Sequence, residues 1–235
     1  MITPTTLRIH RIAETTVNPA ALEFHTRNPG VTDAEHLAEF AGRSCYESWS
    51  RPREATANTA DYIERTVHEQ AHHSIIEHAS VTYYITGVSR SLTHELIRHR
   101  HFSFSQRSQR YVGEVESGLN VVLPPALLEA FKDDGREFED YMEVSRAVEG
   151  AARVYTDTVD FLEGHKGYSR KQAREAARAF LPNMTETRIV LTGNLRAWME
   201  FLNKRDHPAA DREIRDLAQA LRADLHEYAP SIIRP

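Results

Sequence analysis

The spacing of apolar and polar residues predicts a chain that is mostly helical and contains a few strands. The clearest strand is residues 80–88, where β-branched and aromatic side chains dominate (S-V-T-Y-Y-I-T-G-V). Alternation of apolar and polar positions predicts another strand over residues 7–17. The run T-R-I-V-L predicts a strand over residues 186–191, with a helix as the alternative. A short apolar run at residues 120–123 is closed by two prolines.

Helical periodicity and capping residues account for most of the remaining chain. The predicted helices cover residues 33–42, 55–70, 89–98, 125–164 with an interruption around 133–135, 171–180, 194–203 and 211–227. The candidate N-cap residues are Thr32 or Asp33, Ser89 or Ser91, Ser169 and Asn194. Because the strands and helices do not alternate regularly, the pattern favours an α+β fold over a doubly wound sheet.

Composition adds further constraints. The chain has 235 residues, of which 40% are apolar and 27% charged, as is typical of globular proteins. It contains no linker-like segment, so one domain over residues 1–235 is expected. The single cysteine, Cys45, excludes a disulfide within the chain, and a cytoplasmic location is expected. No apolar run approaches the roughly 20 residues of a membrane span, and a net charge of -5 argues against general nucleic-acid binding.

The segment 98–111, called the basic stretch below, departs from this acidic average. It reads R-H-R-H-F-S-F-S-Q-R-S-Q-R-Y, and no acidic residue occurs between Glu95 and Glu114. Arginine guanidinium groups match the geometry of phosphate and carboxylate groups with two hydrogen bonds at a time. The sequence therefore predicts an anion-binding site, with a solvated basic loop as the alternative.

The arrangement of the basic stretch follows from two local arguments. If the helix predicted from Ser89 ends near Arg100, then Arg98 and Arg100 would offset the negative end of its dipole. If the chain beyond is extended, alternation would separate a polar face from an apolar face. The expected polar face comprises Ser103, Ser105, Gln106, Ser108 and Arg110, and the apolar face comprises Phe102 and Phe104.

Residues 72–78 (H-H-S-I-I-E-H) invite interpretation as a metal site. Their spacing is not that of the H-E-x-x-H zinc motif, and a lone cysteine cannot form a thiolate site, so no metal is expected. Two alternatives remain: structural histidines, or a turn that lines the same pocket as the basic stretch. Cys45 is predicted to be a small buried residue rather than a nucleophile, and Ser108 lacks a G-x-S-x-G turn.

Two further features leave alternatives open. Phe102, Phe104 and Tyr111 alternate with arginines, as in modules that bind single-stranded nucleic acid by stacking bases. Arg196 and Arg205 are nine positions apart and should face opposite sides of one helix. Each is a surface arginine on its own, but together with the basic stretch such arginines could close a binding site.

The motif R-H-R-x7-S from Arg98 to Ser108 resembles the signature of the flavin-dependent thymidylate synthases. The match extends to Ser103 and through the residues that follow Ser108, up to Tyr111. The segments H-H-S-I-I-E-H, A-R-A-F-L-P (residues 177–182) and N-L-R (residues 194–196) also match, as does Arg205. The resemblance covers about residues 43–213.

The resemblance implies an enzyme that makes dTMP from dUMP. The carbon would come from 5,10-methylenetetrahydrofolate and the hydride from FAD that is reduced by NADPH. The implied architecture is a single helix-rich α+β domain with a small central, mostly antiparallel β-sheet. Members are homotetramers with shared active sites, and neither a nucleic-acid partner nor a membrane partner is implied.

The resemblance also assigns residues to roles. The implied flavin-binding residues are His72, Ser74, Arg98, His99, Arg100, Gln106, Asn194, Leu195, Arg196 and Glu200. The implied dUMP-binding residues are Glu95, Arg98, Gln106, Arg107, Ser108, Gln109, Arg110, Arg178 and Arg205. Arg205 is the implied catalytic residue, because it would sit against the pyrimidine and favour its ionised form. No protein nucleophile is implied, since the flavin delivers the hydride.

This chain departs from the family pattern at two positions. Glu200 stands where relatives often carry Asn or His near the flavin, so an acidic group there is unexpected. Arg107 stands where relatives often carry an apolar residue. If the contact at that position is made by the backbone N–H, the side chain is free to vary.

Overall fold

The computed structural model describes residues 2–22, 25–51, 53–115, 118–133 and 137–235. The chain divides into two compact units. The first unit consists of Met1–Arg8, Ile85–Arg98 and Ser105–Val190, and the second consists of Ile9–Tyr84, His99–Phe104 and Leu191–Pro235. The assignment of one domain to the whole chain stays a prediction.

Helices and strands are mixed along the chain, which confirms the predicted α+β class. The strands are β1 (Ile2–Pro4), β2 (Arg8–Glu14), β3 (Ser80–Ser89), β4 (Ser103–Gln106), β5 (Leu119–Val121) and β6 (Glu186–Asn194). The α-helices are α1 (Asp33–Ser44), α2 (Thr59–Ile63), α3 (Arg90–Leu96), α4 (Pro125–Asp133), α5 (Glu137–Gly164), α6 (Arg170–Ala177), α7 (Leu195–Arg205) and α8 (Arg212–Tyr228). No helix in the described part of the chain has the length and apolar character that crossing a bilayer requires.

Four strands form the main sheet in the order β2-β3-β6-β4, while β1 pairs with β5 in parallel. Along β3 and β6, the hydroxyls of Thr82 and Thr192 lie 2.9 Å apart, and the Gly87 N–H donates to the Glu186 carboxylate at 3.2 Å. These partners run in opposite order along the two strands, so the strands are antiparallel. The predicted small, mostly antiparallel sheet is confirmed.

The helix caps are the predicted residues. The Thr32 hydroxyl accepts from the Glu35 N–H at 3.3 Å, and the Glu35 carboxylate accepts from the Thr32 N–H at 3.0 Å, which is a capping box. Ser169 forms the same kind of box at α6. The side chains of Ser89 and Asn194 cap α3 and α7. Each cap satisfies backbone donors that the first helical turn leaves unpaired.

The single helix predicted over residues 55–70 is wrong in its continuity. The segment contains a 3-10 turn (Glu54–Thr56), then α2, then a π-helical segment (Glu64–Glu69). Asn58 has extended backbone and accepts the Asp61 N–H at 2.8 Å, so α2 starts afresh after it. A side chain that caps one helix cannot lie inside a longer one.

The first unit has its own small apolar core. Leu119 of β5 and Val148 of α5 are buried there. Helices α4 and α5 confirm the helical region predicted over residues 125–164. The interruption predicted around 133–135 falls largely on residues 134–136, which lie outside the described residues.

The second unit is built around aromatic residues on α7. Trp198 and Phe201 are fully buried, and the ring of Phe102 lies 4.6 Å from that of Trp198 between centroids. Gly193 approaches Phe102 so closely that a Cβ at position 193 would collide with the ring. This packing fixes α7 against the segment His99–Phe104. The helix carries four of the predicted site residues: Leu195, Arg196, Glu200 and Arg205.

Candidate active site

The division of the chain separates the predicted site residues into two sets. The first unit contains Glu95, Arg98, Gln106, Arg107, Ser108, Gln109, Arg110 and Arg178. The second unit contains His72, Ser74, His99, Arg100, Asn194, Leu195, Arg196, Glu200 and Arg205. The first set is mainly the implied nucleotide site, and the second is mainly the implied flavin site together with Arg205, the implied catalytic residue.

The basic stretch begins after α3 rather than within it. The helix ends at Leu96 with Ile97 as its C-cap, so Arg98 and Arg100 lie beyond it and are exposed. The Arg98 N–H donates to the Glu95 carbonyl at 3.2 Å, which is the tighter bonding pattern of a closing turn. The prediction that these arginines lie in the last helical turn is therefore wrong.

The basic stretch is extended only over β4. Both serines of β4 are exposed and Phe104 is half-buried, as predicted. Gln106 lies on the side of Phe104, because residues two apart in a strand share a face. Its amide donates to the hydroxyls of Thr93 at 3.1 Å and Thr187 at 3.2 Å. Gln106 therefore does not belong to the polar face predicted for it.

After β4 the chain turns instead of continuing as a strand. The N–H groups of Tyr111 and Val112 both donate to the Ser108 carbonyl, at 3.2 and 3.0 Å. The predicted alternation of Ser108 and Arg110 is wrong, because a period of two applies only where the backbone is extended. Arg174, which the sequence analysis missed, secures this turn by donating to the Tyr111 carbonyl at 2.7 Å.

Arg107 is held by buried acidic groups of the first unit. Its N–H donates to the Arg188 carbonyl at 2.9 Å. Its guanidinium pairs with Glu114 and lies 3.6 Å from the Glu186 carboxylate, and both glutamate side chains are 2% exposed. Burial raises the pKa of Glu114, and the charge of Arg107 opposes that rise. The Arg107 side chain is thus committed to an ion pair and is not free to vary.

Other residues of the nucleotide set differ in accessibility. Arg110 lies 3.5 Å from Glu175, with the two side chains 40% and 51% exposed, which is a weak surface pair. Arg178 is exposed in the 3-10 turn that follows α6. Gln109 is buried, whereas Glu95 is half-buried. Among the predicted nucleotide-site arginines of the first unit, Arg98, Arg110 and Arg178 therefore remain accessible to an anion, whereas Arg107 does not.

Arg205 and His99 form a side-chain hydrogen bond in the second unit. The Nε of Arg205 donates to Nε2 of His99 at 3.0 Å. Burial, followed by the charges of Arg205 and Lys204, lowers the pKa of His99 to about 4. The imidazole is therefore neutral at pH 7, as an acceptor of a guanidinium N–H must be. The fold thus places the histidine of the signature motif next to Arg205, the predicted catalytic residue. The two residues are more than a hundred positions apart in the chain.

The aromatic residues of the basic stretch are not open to stacking as a set. Phe102 is 8% exposed and packs against Trp198 and Phe201. Tyr111 is exposed, but the Lys171 amine lies 5.2 Å from its ring centroid. A module that binds single strands needs several open aromatic faces. The burial of Phe102 removes one basis of the nucleic-acid alternative.

The second unit contains a cavity of about 860 Å³, within the roughly 300–1,000 Å³ range of ligand pockets. Its lining includes His72, Ser74 and Arg196 from the implied flavin set. The arginines of the lining are Arg43, Arg53, Arg65 and Arg196. No acidic residue lines the cavity in the described part of the chain. Such a cavity suits an anionic ligand of cofactor size.

Arg196 is held at the cavity by two acids. Its Nη1 lies 2.5 Å from Glu77, and its Nε lies 3.2 Å from Glu200 one helical turn away. The hydrogen bonds to Glu77 and then Glu200 raise the pKa of Arg196. The unexpected Glu200 therefore has a structural partner. Beside them, Leu195 is buried, and the Asn194 side chain caps α7.

The structure corrects the prediction for Cys45. The residue is exposed, because α1 ends just before it and the chain turns at the surface. Its Sγ lies 3.4 Å from the Ala41 carbonyl, and the residue lines the cavity. His72 is exposed and also lines the cavity, so it is not a buried structural histidine. Among the described residues, no group of three or more His, Cys, Asp and Glu side chains could hold a metal ion.

Sequence reasoning also missed Arg53 and Arg65 in the cavity lining. Neither has an ion-pair partner among the residues that the structure describes. No local signal distinguishes them, since Arg53 lies in a loop after a proline and Arg65 in a charged run (E-R-T-V-H-E). Only their position in a cavity without acids sets them apart.

Comparison with known proteins identifies the class. A family model described as thymidylate synthase complementing protein matches residues 29–231. A flavin-dependent thymidylate synthase of Mycobacteroides abscessus is 48% identical over 233 residues, covering 96% of this chain and 88% of that protein. One from Mycobacterium avium is 49% identical over 213 residues, covering 87% and 81%. One from Mycobacterium tuberculosis is 47% identical over the same length, with the same coverage.

The chain therefore belongs to the flavin-dependent thymidylate synthase family of enzymes. The resemblance drawn from the R-H-R-x7-S motif is confirmed. The individual residue roles stay predictions.

Proposed function

We propose that this chain catalyses the reductive methylation of dUMP to dTMP, with 5,10-methylenetetrahydrofolate as carbon donor and tetrahydrofolate as product. FAD is the proposed flavin cofactor, and NADPH is its reductant. Support comes from the family to which the chain belongs and from the chemistry of the two residue sets described above.

The observation that carries the proposal is the 3.0 Å contact between Arg205 and His99. Because the imidazole is neutral, it orients the guanidinium without cancelling its positive charge. A fixed cation placed against a pyrimidine stabilises the anion that develops as the ring reacts. Arg205 is therefore assigned the catalytic role, with His99 as its orienting partner.

The nucleotide is assigned to the residues that follow β4. Arg110 and Arg178 are accessible cations that suit its phosphate, joined by the Ser108 hydroxyl. The turn after Ser108 is fixed by Arg174. The backbone of this turn, with Gln106, Arg107 and Gln109, supports those groups, and Glu95 and Arg98 are further assigned contacts.

Most of the residues assigned to the flavin lie in the second unit. The cavity supports this assignment, since its volume, its four arginines and the absence of acids from its described lining fit an anionic dinucleotide. His72, Ser74 and Arg196 line it, and Glu200 orients Arg196. When bound, FAD supplies the hydride that reduces the transferred carbon. The signature residues Arg98, His99 and Arg100, with Gln106, Asn194 and Leu195, are the remaining assigned contacts.

The chain's own residues do not need to supply a nucleophile. Cys45 is an exposed cavity residue, and no histidine or carboxylate contacts the Ser108 hydroxyl among the described residues. Ser108 is therefore assigned to binding. We further propose a cytoplasmic homotetramer with shared active sites, on the basis of the family resemblance.

Two measurements test the function. The purified protein should be yellow, with a flavin absorption spectrum, and should release tritium from dUMP labelled at C5 when folate and reductant are present. A colourless protein that neither binds added FAD nor releases tritium would rule the function out. Oligonucleotide binding with a steep salt dependence, without flavin, would favour the nucleic-acid alternative.

A further inference from the structure

The cavity of the second unit contains cationic groups to which the family motif assigns no role. Of its four arginines, Arg43 pairs with Glu39 at 2.6 Å, and Arg196 pairs with Glu77 and Glu200. The two remaining arginines are Arg53 and Arg65, which have no ion-pair partner among the residues that the structure describes. Two positive charges in the lining are thus not neutralised by an ion pair within the described ranges of the chain.

The backbone around these arginines is irregular on both sides of the cavity. The non-glycine residues with positive φ in the described chain are Glu47, Arg51 and Ala71, at 47°, 49° and 55°. Ala71 lines the cavity, and Glu47 lies between the lining residues Tyr46 and Ser48. Arg51 lies two positions before Arg53. Such residues cost energy and concentrate at ligand sites. The π-helical segment Glu64–Glu69 carries Arg65, and π-helices also occur often at functional sites.

The floor of the cavity carries a polar group without a partner. Tyr62 is 8% exposed and lines the cavity, and its hydroxyl has no hydrogen-bond partner in the described part of the chain. The Arg43 guanidinium lies 4.4 Å from the Tyr62 ring centroid and fixes it from one side. Gly42 makes room for the hydroxyl, because a Cβ at that position would collide with it. A hydroxyl that lines a cavity and has no hydrogen-bond partner among the described residues can donate to a ligand.

From these observations we infer that Arg53 and Arg65 form a phosphate-binding subsite for a pyrophosphate-bearing dinucleotide, with the Tyr62 hydroxyl as an additional donor. This inference deepens the proposed function and rests on it. Two arginines with free guanidinium groups match the two negative charges of a pyrophosphate. FAD and NADPH share this chemistry, so the subsite serves one of them.

The test compares the wild-type chain with an Arg53→Gln/Arg65→Gln double variant. Flavin is removed, and FAD and riboflavin are titrated by quenching of flavin fluorescence. The Kd for FAD should rise about 100-fold, or about tenfold for each arginine, as expected for charged hydrogen bonds. The Kd for riboflavin, which lacks phosphate, should stay within about twofold, because the stacking and ring contacts are kept.

The matched control is Arg146→Gln/Arg153→Gln, which removes two exposed arginines of α5 that do not line the cavity. It carries the same change in net charge and should bind FAD like the wild type. Arg53→Lys/Arg65→Lys should be intermediate, since a lysine keeps the charge but not the planar fork. Tyr62→Phe should weaken FAD binding by less than the roughly tenfold loss expected for each arginine.

The outcomes separate the possible ligands. A selective loss of FAD affinity assigns the subsite to the flavin, and an unchanged FAD affinity with a raised KM for NADPH assigns it to the reductant. Unchanged values for both, or equal losses for FAD and riboflavin, would overturn the subsite while leaving the proposed function intact. A wild-type chain that binds neither dinucleotide would overturn both.

Discussion

The arginines of the two units are used in different ways. In the first unit, Arg107 is packed against Glu114 and Glu186, which are buried acids of the same unit. In the second unit, Arg205 is oriented by a neutral imidazole, and Arg53 and Arg65 line a cavity whose described lining contains no acidic residue. In the first unit the positive charge of the arginine is neutralised by acids of the protein, whereas in the second unit the positive charges remain available to a ligand.

This difference shows why the residue type alone does not define a binding site. Arg107 lies inside the basic stretch, yet its guanidinium is paired with acidic residues that come later in the chain. Arg53 and Arg65 lie outside every motif, yet their charge is available. Whether an arginine is available to a ligand depends on whether a buried carboxylate pairs with it. A buried carboxylate holds a guanidinium far more firmly than an exposed carboxylate does.

The largest expected effect is on catalysis by Arg205. Arg205→Ala should lower the rate of tritium release from labelled dUMP by at least about 10²–10³-fold, the usual loss when an electrostatic donor is removed. The variant should keep its flavin spectrum. Arg212→Ala, an exposed α8 arginine paired with Asp216, is the control and should keep its rate. Normal turnover by the Arg205 variant would refute its catalytic role.

A stability measurement distinguishes the committed arginine from a surface one. Arg107→Leu should lower the free energy of unfolding by about 3 kcal/mol, because it leaves the buried Glu114 carboxylate unpaired. Arg110→Leu breaks only the exposed pair with Glu175 and should cost less than about 1 kcal/mol. Denaturant titrations compare the two.

A double variant shows that the effect comes from the charge. Arg107→Leu combined with Glu114→Gln should recover much of the loss, because residue 114 is then neutral and the buried Glu186 carboxylate keeps Arg188 at 3.5 Å. Equal destabilisation by the single changes at residues 107 and 110 would mean that the two arginines are not used differently.

The neutral state of His99 predicts a dependence on pH. Since its pKa falls from 6.5 to about 4 on folding, the unfolded chain binds a proton between these pH values that the folded chain does not bind. The contribution of His99 to stability is therefore complete above pH 6.5 and is lost progressively as the pH falls to about 4. The wild type should lose more stability than His99→Gln over this interval. Parallel pH profiles would contradict a neutral imidazole.

The smallest expected effect is at Glu200. Glu200→Gln removes one of the two acids on Arg196 and should change stability by about 0.5 kcal/mol or less, as is usual for exposed pairs one helical turn apart. The Kd for FAD should change by less than about threefold, since Glu77 still holds Arg196. Arg196→Gln is the comparison and should weaken FAD binding about tenfold. If Glu200→Gln weakens flavin as strongly, Glu200 itself contacts the cofactor.

Much of the local structure could be predicted from neighbouring residues. The strand over residues 80–88 and the caps Thr32, Ser89, Ser169 and Asn194 are confirmed, because each depends on side chains within a few positions. The wrong predictions concern the ends of helices and strands, because the local pattern of residues does not show where such an element stops. Helix α3 stops at Leu96 although the residues after it are compatible with a helix, and β4 gives way to a turn after Gln106.

By itself, the sequence determined the family and the mixed fold class, because the R-H-R-x7-S motif and the capping patterns are short and local. The tertiary structure decided which cations remain available, since this depends on acids and cavities contributed by distant segments. Glu114 forms an ion pair with Arg107, and His99 orients Arg205, which lies more than a hundred residues later in the chain. The sequence shows that an arginine is positively charged, but the folded structure determines which group pairs with that charge.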